Sequence, residues 1–490
     1  MSKTLISSLL LALASTILVQ SSEPYTPDWT SLRRHNTPEW MEDMKFGIYS
    51  HWGAQTAVTA SGNMKMPYHE AIPLWAGENF DAKAWVDLFE ATGAQFAGPV
   101  AWHVTGMLNW DSKLTDWTSV NKGPKVDIYG ELAKEIRKRD MKLIASFHSS
   151  TLWGPLSSSD SRYLASDSTN DDIRYDEHGY MTSAYLEGWL ERMQEGYELH
   201  KPDMVWVDVG FGGTVRGVLR GYTKQGKLLD GQSNEVPGIR EDIQQRYIAG
   251  YFNAALEWGK EVEFIYKSFD VPPGVGMRDI EDGNLDGLQW DPWMADIDMM
   301  MHHHYPHPWF YNPKNPVKDA NMLVDMLVDI TSKNGRILLN VPPLVDGTFH
   351  ERITSELYKI GDWLKLNGEA IYGTSPWVLY GEGPTSITSP GHHGQGKNKG
   401  VNIAKFTKDD IRFTQKGDTL YATCLDWPGE ELHIRALGFH GKLYPNQIKS
   451  IQLLGSDKKL EWTQTAEELV VKFPAQKPCE FAYVLMIERR

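Results

Sequence analysis

A chain of 490 residues with 41% hydrophobic and 23% charged residues is globular, and it is too long for one ordinary domain. Its net charge of −15, with no Lys/Arg cluster to oppose it, argues against a nucleic-acid-binding protein. The two cysteines, Cys424 and Cys479, suggest no zinc thiolate site and no thiol nucleophile.

The N-terminus reads Met1-Ser2-Lys3, an uncharged apolar segment from Leu5 to Val19, and small residues at a cleavable position. That is the pattern of a signal peptide ending after Ser21, and the apolar stretch is too short for a membrane span. A secreted or periplasmic protein is expected, with no membrane span elsewhere. Export permits a Cys424–Cys479 disulfide, but two buried thiols in strand-like runs are the favoured expectation.

From residue 22 onwards short apolar runs alternate with amphipathic stretches. Phe46–Ser50 reads as a strand and Lys83–Phe89 as part of a helix. Gln95–Ala101 is a second strand. Ile128, Leu132 and Ile136 share one face of a helix over Asp127–Arg139, and Met141–His148 is the next strand. A helix over Leu186–Tyr197 leads into a strand that ends at Asp208. Ile243, Tyr247, Tyr251 and Ala255 mark a further helix, followed by the strand Val262–Tyr266. The helix Asn321–Lys333, the strand Ile337–Val341 and a helix Ile353–Asn367 with Gly368 as its stop complete the series.

Repeated strand–helix units predict a parallel sheet. Polar residues at the strand ends (His51, His103, His148, Asp208 and Asn340) favour a closed TIM-like (β/α) barrel over a doubly wound sheet. No G-x-G-x-x-G follows an early strand, so a dinucleotide fold has no support. Thr374–Gly400 is rich in Gly, Ser, Pro and Thr and reads as a linker or edge loop. Beyond it the hydrophobic period becomes two, as in Leu420/Ala422/Cys424 and Leu432/Ile434/Ala436, which predicts an antiparallel β-sandwich. The expected organisation is a signal peptide over 1–21, a barrel over 22–375, and a linker with a β-sandwich domain over 376–490.

A charge at the tip of a buried strand is costly without a task. Asp208 either caps the glycine-rich turn after it through an Asx contact or carries chemistry, and position alone supports both readings. Trp and Tyr are abundant, and aromatic rings suit both core packing and stacking on the apolar face of a sugar. Glycoside hydrolysis needs a second carboxyl group. The loop after the Tyr266 strand supplies Asp279, Glu281 and Asp282, among which spacing does not choose.

Several blocks, in order, cover nearly all of the chain beyond the signal segment. They are Phe46-Gly47-Ile48-Tyr49-Ser50-His51-Trp52-Gly53, Trp110-Asp111-Ser112, Gly123-Pro124-Lys125-Val126-Asp127, Val207-Asp208, Ser332-Lys333-Asn334-Gly335 and Asn367-Gly368-Glu369-Ala370-Ile371-Tyr372-Gly373-Thr374. Together they resemble the alpha-L-fucosidase family, glycoside hydrolase family 29. The resemblance implies a retaining exo-glycosidase without cofactor or metal, acting on an oligosaccharide, polysaccharide or glycoconjugate. It implies Asp208 as nucleophile and, from a Glu-x-Gly element after Pro273-Gly274-Val275-Gly276, Glu281 rather than Asp279 as acid/base. It also implies His51, His103 and His148 as sugar-hydroxyl ligands, with Trp52 and Trp309 as binding aromatics.

The pattern breaks at two places. Where the family carries His-His-Asp-Gly, this chain has His103-Val104-Thr105-Gly106, preceded by Trp102. Where a Glu-Trp-Tyr element is usual, it has Asn63-Met64-Lys65-Met66-Pro67-Tyr68. A lost hydroxyl contact is costly to specificity. The alternatives are therefore a related sugar, such as an alpha-L-galactoside or a sulfated fucose, or a non-catalytic carbohydrate-binding relative. The run His302-His303-His304-Tyr305-Pro306-His307 looks like a metal site, but adjacent histidines do not all point one way and no metal role is expected of it.

Overall fold

The computed structural model describes residues 23–103, 105–148, 182–208, 211, 221–222, 228–229, 239–267, 271–301, 309–387, 405–443 and 448–489. The expected signal peptide (1–21), Val104 and the His302–His307 run lie outside them.

Eight strands close a parallel barrel. They are β1 (Phe46–Ser50), β2 (Phe96–Trp102), β3 (Lys142–Phe147), β4 (Met204–Val207), β5 (Glu263–Lys267), β6 (Met277–Asp279), β7 (Trp293–Asp298) and β8 (Gly335–Asn340). Each pairs with its sequence neighbours, and β8 returns to β1 with Phe46 opposite Ile337 and Tyr49 opposite Asn340. Inside, Phe96, Ile144, Met204, Ile265, Met294 and Leu338, one each from six strands, share an apolar core. Gly47 is required here, because a Cβ at that position would stand 2.1 Å from the Phe96 ring.

The helices read from the sequence periodicity form, and their ends have local causes, but the stretch between β1 and helix Ala82–Thr92, which reads as a long loop, also holds helices Ala54–Ser61 and Tyr68–Leu74. The Asp127 carboxylate accepts the Gly130 N–H at the start of helix Ile128–Arg137, and Ile128, Leu132 and Ile136 are buried. Helix Ala82–Thr92 is capped by Asp81 and ends at Gly93, whose φ of 92° suits only glycine without strain. The sequence pattern did not show β6 and β7. β6 has three residues, and β7 turns Asp296 and Asp298 inward where an apolar alternation is expected. No helix separates β6 from β7, so the strand–helix rhythm fails there.

The C-terminal unit has a five-stranded antiparallel sheet, in the order Ser375–Glu382, Ile411–Lys416, Thr419–Cys424, Tyr483–Arg489, Ile448–Leu453. A three-stranded sheet, Glu431–Ile434, Leu469–Lys472, Trp462–Gln464, shares one apolar core with it through Phe413, Ala422, Leu485, Leu432 and Val471. The first part of the stretch read as a linker or edge loop is thus an edge strand. Both cysteines are free thiols, and Cys424 donates to the Asp426 carbonyl.

A buried ion network joins the two units. Asp329, on helix Ala320–Ser332, lies 2.5 Å from Arg412 Nε of the sandwich and 2.9 Å from Lys333 Nζ. Asn284 donates to the same carboxylate, and Lys333 also reaches the Ile387 carbonyl. Burial would raise the acid of Asp329, but Arg412 and Lys333 hold it below the ordinary range. The Ser332-Lys333-Asn334-Gly335 block therefore serves the junction. One turn earlier Asp325 has weaker compensation: burial, then Asp319, Asp426 and Asp329, push it up to about 8 against the smaller opposing effect of Arg412.

An aspartate with a raised folded-state pKa favours folding fully only below its unfolded value of about 4, and that contribution is lost as pH rises through the folded value. Asp325→Asn should accordingly leave the thermal midpoint unchanged near pH 4. It should raise the midpoint progressively up to about pH 8, above which the gain levels off. Thermal unfolding of both proteins across this range checks it, and a gain that is independent of pH would contradict it.

Candidate active site

Closure of the barrel brings all eight strand ends to one rim, and every one carries a polar group there. They are His51 after β1, His103 after β2, His148 after β3, Asp208 after β4, Lys267 ending β5, Asp279 and Glu281 at β6, Asp296 and Asp298 in β7, and Asn340 ending β8. The C-terminal rim is where such barrels assemble reactive groups.

Lys267 is the centre of this set. Its side chain is wholly buried over the Trp206 ring, 4.3 Å from the ring centroid. Its Nζ lies 3.0 Å from Asp279 Oδ2, 3.0 Å from Asp296 Oδ1, 3.5 Å from Glu281 Oε2 and 3.6 Å from Asp208 Oδ1. Burial alone would strip its proton. Asp279, Asp296, Glu281 and Asp208 instead keep it charged well above the ordinary lysine range. Burial, and then Asp279, push the acid of Asp296 far above the ordinary carboxylate range. The Asp296 N–H donates to Asp279 Oδ1, and the Tyr49 hydroxyl donates to Asp296 Oδ2.

Asp208 and Glu281 complete the upper edge of this cluster. Asp208 Oδ2 lies 2.8 Å from His148 Nδ1, and the side chain retains 17% exposure. Two oxygens lying 3.6 and 3.5 Å from one nitrogen can be no more than about 7.1 Å apart. That bound admits the roughly 5–5.5 Å separation of retaining glycosidases. Glu281 reaches the site through a tight turn: Asp282 adopts φ 47°, and the Gly283 N–H closes on the Ile280 carbonyl at 3.0 Å. A Cβ on Gly283 would lie 2.0 Å from Ile280 Cγ2, which explains the glycine of the Glu281-Asp282-Gly283 element. Asp279, by contrast, is fully buried within its strand and occupied by Asp296 and Lys267, whereas Glu281 keeps 8% exposure.

The three histidines converge beside these carboxylates. Ring centroids lie 4.8 Å apart for His51–His148, 5.1 Å for His103–His148 and 5.4 Å for His51–His103. The tautomer of His51 follows from Asn340. The Asn340 amide donates to Asp298 Oδ1 (2.8 Å) and to the Trp309 carbonyl (2.7 Å), so its oxygen faces His51. That oxygen accepts from the His51 backbone N–H and, at 2.9 Å, from Nδ1. Burial, and then the neighbouring His148, keep His51 uncharged. Its Nε2 is therefore a buried acceptor with no partner among the described residues. A ring nitrogen from each of the three histidines falls within 4.8 Å of the others, a donor set that also suits a divalent transition metal.

Trp309, at φ 77°, holds its ring centroid 5.5 Å from that of His51, and its N–H donates to Asp298. Trp52 is buried between Trp75, Phe80 and Trp85 with its indole N–H on the Leu344 carbonyl. It also lines a cavity of about 10 Å³ shared by His51, His103, Gln55 and Thr105. At the altered Asn63–Tyr68 segment, the Tyr68 hydroxyl donates to Gln55. Sequence reasoning passed over Lys267, Asp296 and Gln55, and took Asn340 only as a polar strand end. Lys267 was open to the same strand-end argument as Asp208, since it closes the apolar run Phe264-Ile265-Tyr266.

Comparison with known proteins accords with this arrangement. A family model described as alpha-L-fucosidase matches residues 12–369, and one described as the alpha-L-fucosidase C-terminal domain matches residues 405–488. Tissue alpha-L-fucosidase of Bos taurus is 26% identical, over 94% of this chain and 91% of its own. Plasma alpha-L-fucosidase of Homo sapiens is 25% identical, over 95% and 93%. The crystal structure of the Thermotoga maritima alpha-fucosidase in complex with fucose superposes with a TM-score of 0.67 at 23% identity, covering 94% of this chain and 99% of that one. From its rim of polar strand ends to its C-terminal sandwich, the chain belongs to the alpha-L-fucosidase family, glycoside hydrolase family 29.

Proposed function

We propose that this enzyme hydrolyses terminal alpha-L-fucosidic bonds with retention of configuration, through a covalent intermediate on Asp208. The observation that carries the reading is the pair of Asp208 and Glu281 carboxyl groups held on one buried ammonium beside three convergent histidines. Asp208 attacks the anomeric carbon as the glycosidic C–O bond breaks, and Glu281 gives its proton to the departing oxygen. Glu281, now ionised, takes a proton from water. The water oxygen bonds to the anomeric carbon, and the ester to Asp208 breaks. The exposure of Glu281, against the complete burial of Asp279, supports Glu281 as the acid/base.

His51 Nε2 accepts a hydroxyl proton of the sugar, and His103 and His148 bind further hydroxyls. Trp309 faces the sugar's apolar side, and Trp52 backs the pocket behind His51. The cavity beside His51 and His103 has the volume of one water and suits one further hydroxyl. This favours L-galactose, which carries one more hydroxyl than L-fucose, as a second substrate; lack of turnover of an aryl alpha-L-galactoside would count against it. No helix among the described residues is long and apolar enough to cross a membrane. Export with removal of 1–21 is part of the same reading, and a mature exported protein whose mass still includes those residues would refute it.

Steady-state kinetics on aryl alpha-L-fucosides and on a fucosylated oligosaccharide test the assignments. Asp208→Ala should lower kcat by about 10⁴-fold or more on both. Glu281→Ala should cost about 10²–10⁴-fold on the oligosaccharide, and far less on an aryl fucoside whose leaving group needs no proton. His51→Ala leaves a sugar hydroxyl unpaired, a loss of about 1–3 kcal/mol, or roughly 5- to 150-fold in kcat/KM. Unimpaired turnover by Asp208→Ala would refute the mechanism, and sugar binding without turnover by the wild type would make the chain a lectin-like relative.

A further inference from the structure

We propose that Lys267 is a positioning residue whose ammonium is shared by Asp208 and Glu281 and follows the negative charge from one to the other during the reaction. The inference rests on the roles given to those two residues above. An ammonium has three N–H donors. Its nearest contacts are Asp296 Oδ1, which accepts a hydrogen bond at 3.0 Å, and Asp279 Oδ2, an ion pair at 3.0 Å. Oxygens of Asp208 and Glu281 lie at almost equal and longer distances, 3.6 and 3.5 Å. Neither of these two groups holds the ammonium at close range, so it can tighten toward whichever is charged.

The two chemical steps move the charge between these same groups. Before attack Asp208 is a carboxylate and Glu281 an acid. After attack the Asp208 oxygen is esterified and neutral, the aglycone has left as an alcohol, and Glu281 is the carboxylate. When water attacks, Glu281 takes its proton and Asp208 regains its charge. A fixed cation beside only one group would help one step and hinder the other. A cation equidistant from both serves each in turn, at the cost of small motions of one N–H.

The surroundings hold the ammonium in place for this task. The Trp206 face lies 4.3 Å from it, and Asp279 and Asp296 hold it at 3.0 Å each. The charged and titratable groups facing the cluster come from every adjoining element: Tyr49 from β1, His148 after β3, Asp208 after β4, Asp279 and Glu281 at β6, and Asp296 from β7.

The test is the pH profile of kcat/KM for Lys267→Met, with Lys267→Arg as the conservative comparison. Loss of the cation disfavours ionisation of both Asp208 and Glu281, so both limbs of the bell should move to higher pH by about one unit or more. The maximum should fall at least about 10²-fold, and Lys267→Arg should return both limbs toward their wild-type positions. If Lys267→Met does not fold, Lys267→Gln, which removes the cation but keeps an amide donor for Asp279 and Asp296, carries the same measurement. A fall in rate with the bell in place would assign Lys267 to packing and overturn the proposal, as would movement of one limb alone. The assignments of Asp208 and Glu281 stand or fall separately, on their own alanine variants.

Discussion

A single ammonium buried among four carboxyl groups is the constraint on which this end of the barrel depends. An uncompensated charge at that depth costs several kcal/mol, and removing either side of such a cluster leaves the other exposed to that cost. Lys267 is accordingly bound to strands on both sides of it: to Asp208 beyond β4, to Asp279 and Glu281 at β6, and to Asp296 in β7. Asp279 and Asp296 hold the ammonium at close range from within the barrel. Asp208 and Glu281, nearer the pocket, are the groups between which the proposed mechanism moves charge. Beneath it the apolar barrel interior keeps water from screening these interactions.

The histidine side of the pocket is built on another principle. His51 is uncharged, and its tautomer is set by a chain from Asp298 through Asn340 to Nδ1. Such outer contacts orient a ring for a specific hydroxyl more firmly than the ring's own packing does. The altered segments lie on this side, where Thr105 lines the cavity beside His51 and Tyr68 steadies Gln55. In the proposed mechanism the carboxyl groups and Lys267 serve the reaction, and this neighbourhood reads the sugar hydroxyls.

Most of the architecture was legible in the sequence because most of its elements obey one period. Helix Ile128–Arg137 shows its buried face at steps of four, and six barrel strands show as apolar runs with polar ends. β6 and β7 did not show, for a physical reason. Their inward positions are the carboxylates that Lys267 needs, so the strands that matter most to the site violate the pattern that identifies strands. For the same cause the loop after Tyr266 offered three carboxylates without a means of choosing. Burial supports the proposed choice: Asp279 is committed to Lys267 and to the β7 backbone, whereas Glu281 keeps some exposure beyond the turn at Asp282 and Gly283. Arg412 shows a related limit. Its partner Asp329 lies across the junction between the two units, and no local pattern connects residues 83 positions apart.

The central claim is that Asp208 forms a bond to the sugar. It is tested most directly by trapping that bond with an activated 2-deoxy-2-fluoro-L-fucosyl donor, whose fluorine slows hydrolysis of the ester, followed by peptide mass spectrometry. The account requires one fluorofucosyl group per chain, on the peptide that contains Asp208 and on that residue within it. A label on Glu281 or any other residue, or product formed with inverted anomeric configuration and no label, would contradict it.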